Sequence, residues 1–160
     1  MKKINLYKFY LLQKELDKTI LEKHHLSFAK TKKQRLLALI VELSEFANET
    51  KDFKFWQKNK EIDYQKINLE YVDAFHFFLS LGHYFPKCKK IYYLKQPKDF
   101  FSQLLKVFSE TNKLINNFTL FQYQKAFYYF LQLSFYYQID IKKYYLQKRE
   151  KNFQRQKNNY

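Results

Sequence analysis

The chain is poor in the residues that shape loops and cross-link small proteins. Its 160 residues include one glycine, two prolines and one cysteine, Cys88. So little glycine and proline leaves almost no turn chemistry for a many-stranded β fold, and no glycine-rich phosphate loop. A single cysteine excludes an internal disulfide framework and a multi-cysteine zinc site, and it fits a reducing compartment. We therefore expect one mostly helical domain over residues 1–160, located in the cytoplasm.

Long hydrophobic runs are also missing. The apolar runs at residues 75–85 and 127–137 are about a dozen residues long, whereas a membrane-spanning helix needs roughly 20. The first residues are basic and then apolar, but Lys8 interrupts them and no small-residue cleavage site follows. We expect neither an export signal nor a membrane partner.

Positive charge and aromatic side chains are abundant instead. The chain has 30 Lys and Arg against 15 Asp and Glu, a net charge of +15, and 21% aromatic residues. A hydrophobic content of 46% excludes a disordered polycation. Of the basic residues 27 are lysine, whereas nucleic-acid binders favour arginine where bidentate contacts matter. The excess charge therefore points to a biased genome more than to a nucleic-acid partner.

Apolar residues recur at helical spacing in six stretches of the chain. These cover about residues 6–21, 34–48, 68–81, 98–114, 120–137 and 139–152. Asn68 is expected to cap the third stretch, and Gly82 to follow its C-terminus. The pattern predicts an all-α fold, a helical bundle.

Acidic residues are scarce, so their positions are informative. Glu42 and Glu45 lie three residues apart in one predicted helix, as do Glu70 and Asp73 in another, and such residues share a helix face. If the two helices pack antiparallel, four carboxylates converge, and buried like charges do not stay ionised without a cation. An all-oxygen set suits Mg²⁺ or Mn²⁺. Spacing alone leaves open the alternative that these acids lie on solvated faces or pair with lysines.

Four segments resemble, in order, the motifs of the dimeric all-α dUTPases. Leu39-Ile-Val-Glu42-Leu-Ser-Glu45, continuing to Trp56, is similar to that family's second motif, and Leu69-Glu70-Tyr-Val-Asp73-Ala-Phe-His76 begins a segment that resembles the third. The opening helix is represented by Leu12-Gln-Lys-Glu-Leu-Asp17. The closing Lys-Asn-x-x-Asn-x-x-Arg-Gln-x-x-Gly-Tyr pattern is represented by residues 145–160. The resemblance leaves out only about residues 86–137.

The resemblance implies a homodimeric, Mg²⁺-dependent enzyme that hydrolyses dUTP to dUMP and pyrophosphate, with Mn²⁺ as a substitute ion. It implies a metal site between two central antiparallel helices, with Glu42, Glu45, Glu70 and Asp73 as ligands. Glu42 and Glu45 are the catalytic candidates, and a carboxylate not fully used in ligation can take the proton of the attacking water. We expect Glu45 to have that role.

The resemblance also implies a set of substrate contacts. Gln13 would read the uracil edge through its amide, which offers a donor and an acceptor together. The base and sugar pocket would be shaped by Trp56, His76 and Phe77, and the phosphates would be contacted by Lys54, Lys148, Asn152 and Arg155. Residues 146–160 would close over the phosphates as a tail.

Two positions depart from the family pattern, and two other functions stay open. Arg149 stands where the family usually has Asn, and Asn159 where it has Gly. One alternative is a related nucleotide pyrophosphohydrolase with another base preference, such as dCTP. The other is a non-enzymatic, basic helical module that binds nucleic acid.

Overall fold

The computed structural model describes residues 1–58 and 60–158 of the chain. Within them six α-helices form the fold: α1 (Tyr7–Lys23), α2 (Lys32–Thr50), α3 (Tyr64–Gly82), α4 (Phe100–Asn116), α5 (Leu120–Gln132) and α6 (Ile141–Lys157). Two short 3₁₀ turns, Phe28–Thr31 and Leu133–Phe135, precede α2 and follow α5. The all-α prediction is confirmed. None of the helices in the described ranges is both long and apolar enough to cross a bilayer.

One short antiparallel ribbon accompanies the helices. Strand β1 (Lys2–Asn5) pairs with β2 (Ile91–Leu94), so that Lys2 lies opposite Leu94 and Asn5 opposite Ile91. Residues 91–94 lie between the third and fourth of the helical stretches predicted from the sequence. Tyr92 and Leu94, at alternate positions of β2, are buried, and this alternation is typical of a strand with one face on the core.

Helix α3 forms the centre of the bundle. Most of its side chains are buried, and it packs against α1, α2 and α6. Arg35 near the start of α2 contacts Ser80, whereas Glu49 near its end pairs with Lys66. The start of α2 therefore lies beside the end of α3, and the end of α2 beside the start of α3. The two helices are antiparallel, as predicted.

Asn68 does not cap α3. The helix begins four residues earlier, and the Asp63 carboxylate accepts the backbone N–H of Lys66 as its cap. The Asn68 amide instead donates to the Tyr64 carbonyl and accepts the backbone N–H of Asp140, where α6 begins. The predicted cap is thus wrong, because the amide joins the third helix to the last.

Gly82 lies within the last turn of α3 rather than after it, and its φ is not positive. A Cβ built there would lie 2.5 Å from Tyr10 Cε1 and 2.5 Å from the Tyr123 hydroxyl oxygen. Those two hydroxyls are 2.6 Å apart and form a buried hydrogen bond. This position therefore requires glycine because two side chains approach the backbone closely, and not because the backbone adopts a left-handed conformation.

The first testable prediction is that Gly82→Ala destabilises the fold. The added methyl group forces the buried Tyr10 and Tyr123 rings apart, and overpacking of this kind costs about 1–3 kcal/mol. Thermal or urea unfolding followed by circular dichroism measures the loss. Ser109→Ala, at an exposed position of α4, is the matched control and should stay within about 0.5 kcal/mol of wild type. Equal stability of the two variants would contradict the packing account.

Candidate active site

A cavity of about 400 Å³ lies among α1, α2, α3 and α6. Its volume is in the range of small-molecule sites. Its lining includes eight of the residues predicted from sequence to bind metal or substrate: Gln13, Glu42, Asp73, His76, Phe77, Lys148, Asn152 and Arg155. These side chains come from helices far apart in the sequence, so the bundle itself assembles the site.

Three of the four predicted metal ligands converge beside this cavity. Glu42 and Glu45 lie one turn apart on α2 and face Glu70 on α3, and one carboxylate oxygen from each lies within 4.8 Å of the other two. Glu42 and Glu70 are half-buried, whereas Glu45 is exposed. The antiparallel packing of α2 and α3 creates this cluster, since each helix brings acids that share one face.

The fourth predicted ligand, Asp73, is bound by a lysine. The Lys148 ammonium group on α6 donates to the Asp73 carboxylate, and both side chains are largely buried. Asp73 lies one turn along α3 from Glu70, and its charge acts on both Glu42 and Glu70. It therefore belongs to the same acidic field, although its oxygens are not part of the three-carboxylate group.

The pKa values of Glu42, Glu70 and Asp73 are raised above the ordinary values of carboxyl groups. Burial, followed by the charges of Asp73, Glu45 and Glu70, raises the pKa of Glu42 to about 7. Burial and the Asp73 charge also raise the pKa of Glu70. Burial raises the pKa of Asp73 against the opposing effect of Lys148. An all-oxygen donor set with unrelieved like charge is the environment that a hard divalent cation stabilises, so the residues present fit one.

A basic face of α6 closes the same cavity. Lys148, Asn152 and Arg155 follow one another at intervals of four and three residues, and all three line the cavity. The charge of Arg155 acts on Asp73 as that of Lys148 does. Cationic and amide donors thus stand opposite the acids, an arrangement suited to holding phosphate oxygens.

At the other end of the cavity the Gln13 amide is fully buried among polar side chains. Its Oε1 accepts hydrogen bonds from His76 Nδ1 at 2.6 Å and from the Tyr145 hydroxyl at 3.2 Å, and its Nε2 donates to Asp17 at 3.0 Å. The role of this amide in reading a base stays a prediction, but its present partners limit what it can offer. The oxygen already has two donors, and only a nitrogen-bound hydrogen remains available.

His76 stacks on the Tyr145 ring at 4.3 Å and is neutral at physiological pH, since burial lowers the pKa of its imidazole to about 3. Because Gln13 Oε1 can only accept, His76 Nδ1 carries the ring proton and Nε2 has the lone pair. Nε2 has no hydrogen-bond partner within the described residues.

Sequence reasoning missed three residues of this polar end: Asp17, Arg35 and Ser80. Asp17 accepts from the Ser80 hydroxyl at 2.6 Å and from Arg35 Nη1 at 3.2 Å, and all three line the cavity. One signal was present in the sequence, since Asp17 lies one helical turn after Gln13 and ends the segment that resembles the family's opening motif. Nothing in the local pattern of Arg35 or Ser80 pointed to them.

The comparison with known families agrees with this geometry. The model of the family described as dUTPase, the all-α dUTPases, matches residues 5–160. The chain belongs to the all-α dUTPase family. It is a dUTP diphosphatase, and its substrate is a nucleotide. Enzymes of the family generally need a divalent metal, and the cluster of Glu42, Glu45 and Glu70 is a candidate for it. No curated protein and no solved structure is significantly similar to the chain.

Two predicted substrate residues of this dUTPase do not line the cavity of their own chain. The Lys54 ammonium group lies over the Phe53 ring at 5.6 Å, and Trp56 is 64% exposed. Both belong to the connection between α2 and α3, where Phe55 is 89% exposed. Their roles in substrate binding stay predictions.

The two departures from the family pattern have different outcomes. Arg149 does not line the cavity: it pairs with Glu15 on α1 and lies over the Phe153 ring at 4.5 Å. Its substitution for Asn therefore joins α6 to α1. Asn159 lies outside the described residues.

The second testable prediction is that Glu42→Gln stabilises the metal-free protein at pH 8. The raised pKa means that folding favours the protonated form, which Gln imitates. The gain is about 1 kcal/mol, because hydration of this half-buried side chain reduces the effect. It is present above pH 7 and disappears by pH 4, where the carboxyl is protonated in both states.

Thermal unfolding in buffer containing a chelator measures this difference. Glu150→Gln, at an exposed position of α6, is the control and should change stability little at either pH. A Glu42→Gln variant less stable than wild type at pH 8 would contradict the proposed repulsion.

Proposed function

We propose that this enzyme hydrolyses dUTP to dUMP and pyrophosphate with Mg²⁺, and that the reaction takes place in the cavity described above. The observation that carries the proposal is the convergence of Glu42, Glu45 and Glu70 beside Asp73, opposite the basic face of α6. A triphosphate needs both halves of this arrangement, because its oxygens require cations and those cations require carboxylates.

Glu42, Glu45, Glu70 and Asp73 would hold the metal, with Mn²⁺ as a substitute for Mg²⁺. The donor set supports this assignment, since carboxylate oxygens on rigid helices are the ligands that Mg²⁺ prefers. When bound, the ion would supply charge for the phosphate oxygens and lower the pKa of the attacking water. Lys148 now donates to Asp73 and would exchange that carboxylate for a phosphate oxygen.

The basic face of α6 would orient the triphosphate. Lys148 and Arg155 would donate to its oxygens, and the Asn152 amide would contact the phosphates or the metal site. Residues 146–160 would act together as the part of the single domain that closes over the phosphates. The mutual positions of these three side chains on one helix support the idea.

Glu45 would take the proton from the attacking water. It is the most exposed of the three clustered carboxylates, and no ion pair involving it is found among the described residues. A carboxylate that is reachable by water and not fully occupied by the metal suits a general base. Glu42, at the half-buried centre of the cluster, would then serve mainly in ligation.

Other functions have less support. A preference for dCTP or another nucleotide would keep the whole scaffold, and only the base-binding end of the cavity would differ. The non-enzymatic nucleic-acid module is disfavoured because the chain belongs to an enzyme family. A cytoplasmic location stays a prediction from the single cysteine.

The third testable prediction concerns catalysis and metal dependence. Purified protein should release pyrophosphate from dUTP in the presence of Mg²⁺, and a chelator should abolish the release. Glu42→Ala and Asp73→Ala should each lower kcat by at least about 100-fold, because each removes an oxygen that fixes the ion. Pyrophosphate release across dUTP, dCTP, dTTP and dUDP measures both rate and base preference.

Two outcomes of this assay would contradict the proposal. Activity that survives both alanine substitutions would exclude the metal assignment, and a preference for dCTP would exclude uracil as the base. Glu61→Ala, an exposed acid in the connection between α2 and α3, is the control and should keep wild-type metal dependence.

The fourth prediction is that the enzyme is a homodimer whose interface includes Phe55 and Trp56. Both side chains are largely exposed, and they contact each other edge to face at 5.1 Å. Exposed aromatic clusters of this kind mark interfaces. Light scattering coupled to gel filtration should give a dimer for wild type and a shift toward monomer for Phe55→Ser/Trp56→Ser.

Phe121→Ser is the control for that experiment. Phe121 is 74% exposed on α5, outside the aromatic cluster, and its substitution should leave the dimer intact. A monomeric wild type, or a dimer insensitive to the double substitution, would exclude this interface.

A further inference from the structure

The orientation of the Gln13 amide is set by a buried charge. Gln13 Nε2 and Asp17 Oδ1 are 3.0 Å apart, and both side chains are almost fully buried. An ionised carboxylate can only accept hydrogen bonds, so the amide must present its NH₂ group to it. The reversed orientation would place two unprotonated oxygens at that distance in a poorly hydrated site, which is strongly unfavourable.

Asp17 is kept ionised by its other neighbours. Burial acts to raise the pKa of this carboxyl, but hydrogen bonds from His83, Ser80 and Gln13 and the charge of Arg35 outweigh it and lower the pKa. The Ser80 hydroxyl donates to Asp17 Oδ2 at 2.6 Å, and Arg35 Nη1 donates to Oδ1 at 3.2 Å. A buried carboxylate with a hydrogen-bonded cation beside it is a fixed negative charge.

Arg35 is itself held in one position. Its Nε donates to the Thr31 hydroxyl at 3.0 Å, its Nη1 also donates to Ser80, and its guanidinium group lies 4.6 Å from the centre of the Phe28 ring. The ion pair therefore cannot rotate away to let the amide turn over. A planar guanidinium held on three sides is well suited to fix the position of a partner.

The fixed amide limits what Gln13 can offer to a ligand in the cavity. One N–H is used by Asp17, and both acceptor positions of Oε1 are used by His76 and Tyr145. The second N–H is the only remaining hydrogen-bonding group of this side chain. A donor matches a carbonyl oxygen of uracil, whereas it opposes the exocyclic amino group of cytosine, which is also a donor.

We propose that Asp17 and Arg35 are positioning residues that fix Gln13 as a hydrogen-bond donor and thereby make the enzyme select uracil over cytosine. The inference rests on the proposed function, in which Gln13 faces the base. Of these three residues only Gln13 contacts the base. Asp17 and Arg35 do not contact it, but they determine which bases Gln13 accepts because they fix the orientation of its amide.

The test replaces the ion pair by apolar side chains of similar size, Asp17→Leu/Arg35→Met. Removing both charges together leaves no unpaired buried charge, and such exchanges are often tolerated. The His76 tautomer and the Tyr145 hydroxyl can then adapt to either amide orientation. We expect the ratio of kcat/KM for dUTP to kcat/KM for dCTP to fall about tenfold or more.

Two further variants separate positioning from general damage. Arg35→Lys keeps the positive charge beside Asp17 but loses the planar group that contacts Thr31, Ser80 and the Phe28 ring, and should lower the dUTP/dCTP ratio less than the double variant does. Glu110→Gln alters a buried carboxylate held by Gln122, Lys113 and Lys125 outside the cavity lining, and should leave the ratio unchanged even if stability falls. A merely structural role of Asp17 and Arg35 would lower the rates for both nucleotides equally.

A folded double variant with the wild-type ratio would overturn the inference. If wild type releases no pyrophosphate from dUTP, it is the proposed function that fails. If the double variant does not fold, kcat/KM of the wild-type enzyme is measured for 2-thio-dUTP and 4-thio-dUTP instead. Sulfur is a weaker hydrogen-bond acceptor than the carbonyl oxygen it replaces. At least one analogue should lose about tenfold in kcat/KM, and unchanged values for both would overturn the inference.

Discussion

The close approach of carboxylates from two antiparallel helices is the constraint on which the site depends. The packing of α2 against α3 brings Glu42, Glu45 and Glu70 together, and burial, followed by the repulsion between the carboxylates, raises the pKa of Glu42. The sequence accepts this cost inside a strongly apolar bundle. The bundle is therefore less stable than one with better-matched side chains at these positions. Such a loss is common at functional sites, and here the acids form a candidate cation site.

Helix α6 balances that acidic region and also limits the space around it. Its Lys148 and Arg155 act on Asp73, while its Tyr145 is buried against Phe9 and Phe75 in the core. One face of a single helix thus holds an apolar anchor and, one turn later, the cations of the cavity. The fold needs little help from loops to position the site, in keeping with a chain that has almost no glycine or proline.

Most of the fold and the acidic half of the site could be predicted from the sequence. Helical periodicity and the i, i+3 spacing of Glu42 with Glu45 and of Glu70 with Asp73 are local signals, and the antiparallel packing of the two helices is implied by the family resemblance. The polar end could not be predicted in the same way. Arg35 and Ser80 meet Asp17 only because three helices converge, and the amide orientation of Gln13 depends on the ionisation that this meeting produces. The Asn68 cap failed for a similar reason, since its partner Asp140 is distant in sequence.

Tyr145 connects the end of the cavity at Gln13 and His76 to the basic face of α6. Its ring stacks on His76 and its hydroxyl donates to Gln13, yet it lies one turn before Lys148 on the same rigid helix. Asn68 accepts the backbone N–H of Asp140, which holds the start of that helix against α3. In the proposed function, base contacts and phosphate contacts would therefore be coupled: a nucleotide that displaced the Gln13 amide would also displace the Tyr145 ring and, through the same helix, the side chains of Lys148 and Arg155.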